Sequence, residues 1–231
     1  MQNIKEFQQV QTMFLLQENL NSIVDPNWKD NSHDWLRAAW VECAELVDHV
    51  GYKWWKQHSF NLPQAQIECL DIIHFILSKY IEDQYLGLRL NAAQDFYQHF
   101  YLHPSPLSPS PLSTHSILLS TESFVLSLLQ RDPSYLSLLA SLCTHLNLSH
   151  DSIFKMYVSK NVLNLFRQHH GYKSGSYIKL WPSPLLPHSF LEDNVFLEMY
   201  LADPSTQQLF VDSPHLIFQY LYDKLQHDYP S

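Results

Sequence analysis

The chain has 231 residues, of which 45% are hydrophobic and only four are glycine. This length suffices for one large domain or two small ones with a real core, and the scarcity of glycine beside many leucines, tyrosines and phenylalanines favours helices over a turn-rich β-sandwich. The formal net charge of -9 argues against a general binder of nucleic acid or membrane surfaces. It is compatible with one small phosphorylated substrate, because metal ions can bridge acid to phosphate.

Cysteine usage and hydropathy indicate where the protein works. Cys43, Cys69 and Cys143 are widely separated and form no C-x-x-C pair, which suits a reducing cytoplasm in which each thiol is a small core residue. The first residues, MQNIKEFQQVQ, lack a secretory apolar region. No apolar run approaches the ~18 residues of a membrane span. We therefore expect a cytoplasmic protein that binds neither membranes nor nucleic acid.

Helical periodicity begins near the amino terminus. Phe7, Val10 and Phe14 recur at steps of three and four residues, and Gln17 and Asn21 then place two amides on one face. A polar loop follows, DPNWKDNSHD. A second helix is predicted to begin at its last aspartate, at position 34, because aspartate is a typical N-cap.

The second predicted helix carries two acids among apolar residues, in the stretch WVECAELVDHVGYKWWK of residues 40–56. Glu42 and Glu45 are three residues apart, so they lie on one face of the helix. Burying even a neutral polar group without a partner costs ~2–7 kcal/mol. The two acids must therefore face either water or a cation.

The third predicted helix opens at Pro63, runs to about Tyr85 and repeats this pattern. In its segment IECLDIIHFIL the only polar residues are Glu68, Asp71 and His74, which are spaced three apart. Two apolar helices with one connection between them should pack antiparallel. Such packing can bring the four carboxylates of the two helices together.

Four carboxylates at close range repel one another, and burial increases the repulsion. Protonation would require strongly raised pKa values, whereas one or two divalent cations remove the conflict directly. Ligands that are all oxygen favour Mg²⁺ or Mn²⁺ over zinc. The predicted metal ligands are Glu42, Glu45, Glu68 and Asp71.

Two alternatives compete with this metal centre. Each acid pair could lie at the edge of its helix and meet water or lysines. A di-iron bundle is the second alternative, since it uses Glu-x-x-His on facing helices. Asp71-x-x-His74 offers that spacing once, but neither Glu42 nor Glu45 has a histidine three residues later.

The middle of the chain contains a stretch rich in proline and serine, HPSPLSPSPLSTH, at residues 103–115. Prolines this dense cannot continue a helix, so we predict an exposed connector between helices. Later helices are predicted from their caps. These caps are Asp132 and Ser213, each followed by proline, and Ser149 or Asp151 before a helix that runs to about position 170.

A cluster of cations follows in KNVLNLFRQHHGYKSGSYIKLW, residues 160–181, which contains no acid. Lys160, Asn164 and Arg167 are spaced four and then three apart and share a helical face. Gly171 and Gly175 then provide a turn that could fold later residues over a ligand. Arginine and lysine with amide and phenol donors between them are typical of a triphosphate site. The alternative is a solvated basic helix end, favoured by the helix dipole.

The acid pairs and the basic segment together resemble the dimeric, all-α dUTP diphosphatases, which are relatives of the MazG-type nucleotide pyrophosphohydrolases. The family's Glu-x-x-Glu and Glu-x-x-Asp pairs match the four acids, and the strings AxWVECAELVDH…YKWWK and IECLDIIHF extend the similarity. The 160–181 segment is the most specific match. The similarity covers roughly residues 10–85 and 155–200, including the EDN string at 192–194. Residues 104–148 and the final helix match nothing in the family.

The resemblance implies Mg²⁺ held by the four acids, with Mn²⁺ as a substitute, bridging the phosphates of dUTP in a homodimer. Glu45 would orient or deprotonate the attacking water, and Arg167 would stabilise charge on the leaving phosphates, so these two are the predicted catalytic residues. The predicted phosphate contacts are Lys160, Asn164, Arg167, Tyr172, Lys173 and Lys179. The predicted base and sugar contacts are Gln17, Asn21, Trp54 and Phe75.

The sequence therefore predicts an all-α protein, a helical bundle of the MazG-like, dimeric dUTPase type with a less regular carboxy-terminal part. Residues 1–231 would form a single domain, with a rigid core of about 5–100 and 150–181 and an accessory or mobile part at 182–231. The expected reaction is Mg²⁺-dependent hydrolysis of dUTP, and of dUDP, to dUMP, with pyrophosphate released from dUTP. The open alternatives are a pyrophosphohydrolase of another nucleotide such as dCTP, and a helical interaction domain without activity.

Overall fold

The computed structural model describes residues 3–102 and 112–230, and within these ranges the regular secondary structure is almost entirely helical. The α-helices are α1 Ile4–Val24, α2 Trp35–His49, α3 Leu62–Tyr85, α4 Ala92–Phe96, α5 Thr114–Gln130, α6 Tyr135–His145, α7 His150–His169, α8 Asp193–Ala202, α9 Pro204–Asp212 and α10 Ile217–Asp228. A π-helical turn, Tyr97–Tyr101, follows α4, and a 3₁₀ turn, Pro214–Leu216, precedes α10. The all-α prediction is confirmed.

One small hairpin was not predicted from the sequence. Strands β1 Leu180–Pro182 and β2 Phe190–Glu192 pair antiparallel, with Trp181 opposite Leu191. The strands are too short to show the alternation that identifies a strand in a sequence. The carboxy-terminal part is thus more regular than expected, with this hairpin and three helices after it.

The helices that carry the predicted site begin with side-chain caps. Asp34, Asn61 and Ser149 are the N-caps of α2, α3 and α7, and each side chain accepts a hydrogen bond from the backbone N–H three residues later. Each cap satisfies a donor that the first turn of a helix leaves unpaired. The predicted starts at Asp34, beside Pro63 and at Ser149 are confirmed.

Two other predicted starts were wrong in detail. Asp132 does not cap a helix at Pro133, because α6 begins only after Ser134, and the Asp132 carboxylate instead accepts a hydrogen bond of 2.8 Å from the backbone N–H of Ser134. Ser213 precedes the 3₁₀ turn rather than α10 and makes no side-chain cap bond. The loop predicted at 103–115 lies outside the described residues as far as 111, and α5 begins at Thr114.

Helices α2 and α3 form the frame of the predicted site. The backbone N–H of Asn61, just before α3, donates to the carbonyl of His49 at the end of α2 over 2.8 Å. The end of one helix therefore meets the start of the next, and the two helices run back along each other. This arrangement places the acid-bearing faces of α2 and α3 side by side.

Helix α7 connects two apolar cores. Its first half contributes Ile153 and Tyr157 to a core built mainly from α1–α6, and its second half contributes Val162 and Phe166 to a second core with β1 and α8–α10. The residues of α7 between these apolar positions, including Lys160, face the acid-bearing helices. Packing on both sides thus orients the polar face of α7.

Gly51, in the turn after α2, is expected to tolerate no side chain. Its φ is +78°, and a Cβ would lie 2.9 Å from the backbone nitrogen of Phe60. Gly51→Ala combines left-handed strain with a backbone clash, so we expect a loss of about 2–5 kcal/mol in the free energy of unfolding. Gly87→Ala is the matched control, because its φ is +73° but nothing lies within 4 Å. It should lose only about 1–2 kcal/mol. Urea unfolding measures both, and equal losses would contradict the clash.

Candidate active site

A single cavity of about 750 Å³ collects most of the predicted site residues. It lies between α1, α2, α3 and α7, with residues beside the hairpin at its rim. Every predicted site residue lines it except Trp54 and Lys173. The acids of α2 and α3 and the cations of α7 therefore share one space.

The acids form a compact group. Glu42, Glu68 and Asp71 each offer a carboxylate oxygen, and these oxygens lie within 4.8 Å of one another. Among the described residues no other group of this kind is found. Glu45 lines the same cavity but is exposed and lies outside the group. The structure thus gathers three of the four predicted ligands and leaves the fourth exposed in the same cavity.

Crowding of these acids perturbs Glu42. Burial, and then the charges of Asp71, Glu45 and Glu68, raise the pKa of Glu42 to about 8, against an opposing effect of Lys160. A carboxyl group with this pKa is largely protonated near neutral pH unless a cation joins it. Three clustered carboxylate oxygens are the donor set that a hard divalent cation prefers. The residues present therefore fit the predicted metal.

Lys160 links the acid group to Asn194 of α8. Its ammonium group is buried, lies 2.9 Å from Oδ2 of Asp71 and donates to Oδ1 of Asn194 over 3.0 Å. Asn194 is the last residue of the EDN string and also lines the cavity. The ammonium group of Lys160 lines the cavity next to Asp71, so it can bind a phosphate beside the acid group.

Arg167 is a buried, paired cation rather than a solvated one at a helix end. It is 8% exposed, and its Nε and Nη2 donate to the two carboxylate oxygens of Asp193, each over 2.8 Å. Burial alone would raise the pKa of Asp193, but hydrogen bonds and charge from Arg167 hold it below its usual value. Tyr177 also donates to this carboxylate over 2.8 Å. Asp193 therefore fixes the guanidinium in the cavity wall.

The contacts of Arg167 limit how it can meet a phosphate. Asp193 holds the edge formed by Nε and Nη2, and the second N–H of Nη2 donates to Oδ1 of Asn194 over 3.2 Å, so neither edge of the guanidinium is free for a bidentate contact with phosphate. The remaining nitrogen, Nη1, donates to Oδ1 of Asn164 over 3.2 Å and keeps a second N–H for a ligand. The expected phosphate contact is thus a single charge-assisted donor from a fixed arginine.

The other predicted phosphate residues are more exposed. Lys179 lies at the cavity rim and pairs with Glu192 across the hairpin over 3.0 Å. Tyr172 lines the cavity and is half exposed. Lys173 donates to the carbonyl of Val24 over 2.5 Å and does not line the cavity. The structure brings Tyr172 and Lys179 to the site, but not Lys173.

The aromatic wall differs from the predicted one. Trp54 is 85% exposed and does not line the cavity, whereas Phe75 does. Trp28 and Trp35, which were not predicted, also line it, and the rings of Trp35 and Phe75 stack with centroids 6.4 Å apart. The only feature of the sequence that could have indicated Trp28 and Trp35 is their position within and directly after an otherwise polar loop.

His49 is a further residue that sequence reasoning missed. Its Nε2 lies 3.5 Å from Oε1 of Glu68, and hydrogen bonding to this carboxylate raises the pKa of His49 despite partial burial. Its signal was its position two helical turns after Glu42 on the same face. His49 lines the same cavity and contacts one acid of the group.

Comparison with models of known protein families places the cavity residues in a family context. A model of the dUTPase family matches residues 9–172, well over half of the chain. No curated protein matches. The matched segment contains the acids, Lys160 and Arg167, but it ends before Lys179 and Asp193. No described helix is long and apolar enough to cross a membrane.

Proposed function

The chain belongs to the dUTPase family and so is an enzyme that hydrolyses dUTP, and from this premise we propose that it releases dUMP and pyrophosphate with the help of Mg²⁺ or Mn²⁺. We propose further that dUDP is accepted and converted to dUMP. The observation that supports this most directly is the shared cavity, in which three carboxylates face two buried cations. A triphosphate with a divalent ion complements such a pair of walls in charge.

The proposed metal ligands are Glu42, Glu68 and Asp71, with Glu45 completing the set when the ion is present. When bound, a divalent ion neutralises phosphate charge and lowers the pKa of a coordinated water. Glu45 is the proposed base, because it is the exposed acid of the cavity and can accept a proton from water.

The cations have a separate proposed role. The water oxygen forms a bond to the α-phosphorus, and the bond from this phosphorus to the bridging oxygen breaks, so that charge grows on the leaving pyrophosphate. Lys160 and the free N–H of Arg167 are the groups proposed to stabilise this charge. Asn164, Tyr172 and Lys179 add donors around the phosphates, and Trp35 and Phe75 form the apolar wall for the base.

We propose a homodimer in the cytoplasm. Support for the dimer comes from an apolar face of α5, where Leu119, Leu126 and Leu129 are each at least half exposed and share one side of the helix. The cysteines are free and buried, as suits a reducing compartment. We expect sedimentation at several concentrations to give the mass of two chains. A concentration-independent monomer that hydrolyses dUTP would contradict the dimer and leave the activity standing.

One assay tests the proposed reaction against both alternatives. Pyrophosphate release is measured for dUTP, dCTP, dTTP and UTP, and phosphate release for dUDP, each with Mg²⁺, with Mn²⁺ and with a chelator. We expect rapid, metal-dependent release from dUTP and dUDP only. Preference for dCTP would assign another nucleotide. Absence of release from every substrate would favour an interaction domain.

A further inference from the structure

Tyr229, which directly follows α10, packs against the segment that leads into the hairpin. Its ring stacks on that of Tyr177, with centroids 5.4 Å apart and an angle of 17° between the planes. Its hydroxyl accepts a hydrogen bond of 3.1 Å from the backbone N–H of Ile178. One side chain of the carboxy-terminal part therefore holds two successive residues of this segment.

The segment that Tyr229 holds is bound in turn to Asp193. The hydroxyl of Tyr177 donates to Oδ2 of Asp193 over 2.8 Å, and the backbone N–H of Asp193 donates to the carbonyl of Lys179 over 3.1 Å. Burial, and then the charge of Asp193, raise the pKa of Tyr177, so this hydroxyl keeps its proton. The buried Asp193 is thus fixed both through its backbone and through its carboxylate.

Asp193 passes this constraint to Arg167. The oxygen that accepts from Tyr177, Oδ2, also accepts from Nε of Arg167 over 2.8 Å. Two donors on one carboxylate oxygen fix the direction of the carboxylate, and a guanidinium held by both oxygens of that carboxylate has little freedom to rotate. The orientation of Arg167 therefore depends on contacts that begin at Tyr229.

The aromatic contacts of Tyr229 reach the helix that carries Arg167 as well. Tyr229 meets Phe166, the preceding residue of α7, edge to face with ring centroids 5.3 Å apart. It meets Trp181 of β1 in the same way at 5.5 Å. Edge-to-face pairs are a preferred arrangement of aromatic rings. Tyr229 thus touches α7, β1 and the segment between them.

We propose that Tyr229 is a positioning residue for the phosphate contact of Arg167. It acts through Tyr177 and Asp193, and none of these three residues that hold Arg167 lines the cavity or lies within residues 9–172, which match the dUTPase family. The inference rests on the proposed function, because it assumes that the free N–H of Arg167 donates to the leaving phosphates. Contacts outside the cavity can matter for the reaction, since a displacement of 1 Å in a reacting group can cost about 100-fold in rate.

Tyr229→Leu tests the positioning role through kinetics. The variant loses the stacked ring and the hydroxyl, so kcat/KM for dUTP should fall about 5- to 50-fold. The loss should appear in kcat rather than KM, because the donor of Arg167 is proposed to act on charge that grows in the transition state. Tyr229→Phe keeps the stack, and water can replace its hydroxyl at the exposed Ile178, so this variant should stay within about threefold of wild type.

Tyr222→Leu is the matched control. Tyr222 lies on α10 and meets Phe166 edge to face with centroids 5.3 Å apart, as Tyr229 does, but its hydroxyl is hydrogen-bonded to His169. The substitution removes a tyrosine from the same apolar core without touching the contacts of Asp193. Its kcat/KM should stay within about twofold of wild type. An equal loss in the two leucine variants would make Tyr229 a packing residue and overturn the inference.

A second background separates positioning from packing. Arg167→Met with Asp193→Asn removes the pair through which Tyr229 is proposed to act. Adding Tyr229→Leu to this background should change kcat/KM by less than about twofold, because the coupled residues are already gone. If Tyr229→Leu costs the same factor in this background as in wild type, Tyr229 acts independently of Arg167 and the inference fails.

Proton exchange at Arg167 tests the inference without any turnover. The chain has only four arginines, so the spectrum of protein labelled with ¹⁵N-arginine is simple, and Arg167→Lys identifies the Nε–H signal of Arg167. This proton should exchange slowly with water in wild type and in Tyr222→Leu. It should exchange at least about tenfold faster in Tyr229→Leu, and also in Tyr177→Phe, which keeps the ring but removes one donor to Asp193. Equal exchange in all four proteins would overturn the inference.

The two measurements also distinguish this inference from the proposed function. If the wild-type protein hydrolyses no dUTP but the exchange at Arg167 responds as expected, the proposed function fails and the positioning of Arg167 by Tyr229 stands. If dUTP is hydrolysed, and neither kcat nor exchange responds to Tyr229→Leu, the positioning role alone is wrong.

Discussion

Asp71→Asn is expected to lower kcat/KM for dUTP by more than about 100-fold while the protein remains folded. The amide keeps the shape of the side chain but removes one of three clustered negative charges that are proposed to hold the divalent ion. A higher Mg²⁺ concentration should restore part of the activity, because it offsets the weaker binding of Mg²⁺ by the variant. Glu122→Gln, an exposed acid of α5 outside the cavity, is the control and should behave as wild type.

In the metal-free protein, removing a charge from the acid group should increase stability rather than reduce it. The pKa of Glu42 is raised to about 8 in the folded protein, from an ordinary value of 4.5. Between these two pH values the unfolded chain has released this proton and the folded chain has not. Rising pH therefore favours unfolding across this window, and the contribution is complete above pH 8.

Glu42→Gln removes this pH dependence, so the metal-free variant should melt at a higher temperature than metal-free wild type at pH 8. The difference should shrink as the pH falls towards 4.5 and vanish well below it, where Glu42 is protonated in both states. Saturating Mn²⁺ should raise the melting temperature of wild type more than that of the variant. Full activity of Asp71→Asn at limiting Mg²⁺, together with identical melting of Glu42→Gln and wild type at pH 8, would rule out the carboxylate centre.

The acid group could be predicted because it depends on local geometry. Spacing of three residues on a helix fixes which side chains share a face, and apolar neighbours fix which face is buried. A single connection between α2 and α3 then leaves few ways to pack them. Glu42, Glu68 and Asp71 needed nothing beyond these rules. These rules do not fix the burial of Glu45. The buried face of a helix is about 100° wide, and a residue at its edge, such as Glu45, can remain exposed.

The partners of the cations could not be predicted in the same way. Arg167 and Asp193 are separated by 26 residues and a hairpin whose strands give no clear pattern. The EDN string was noticed through family resemblance, but nothing in its spacing assigns the acid to Arg167. The prediction of which tryptophan lines the cavity failed for a related reason. Trp54, which is exposed, and Trp35, which lines the cavity, both lie in or beside polar segments, so composition does not distinguish them.

Arg167→Ala is expected to lower kcat/KM for dUTP about 30- to 1000-fold, as one charge-assisted donor to the leaving phosphates is worth roughly 2–4 kcal/mol in the transition state. Stability should fall as well, which a solvated helix end would not predict. The substitution leaves the Asp193 carboxylate buried with only Tyr177 as a donor, and breaking one side of a buried pair costs about 3–5 kcal/mol. Arg167→Lys should recover little activity, because an ammonium cannot hold both oxygens of Asp193 and still reach a ligand.

A double substitution separates the two effects. Arg167→Met with Asp193→Asn removes both charges and keeps similar volumes, so it should regain most of the lost stability, since replacing a whole buried pair is often nearly neutral. Activity should stay as low as in Arg167→Ala, because the donor to the phosphates is still missing. Asp193→Asn alone completes the cycle and should lower kcat/KM by releasing the guanidinium from its position. If the double variant hydrolyses dUTP at the wild-type rate, Arg167 and Asp193 serve only the packing of α7 on α8, and the phosphate site must be built from Lys160 and the cavity rim.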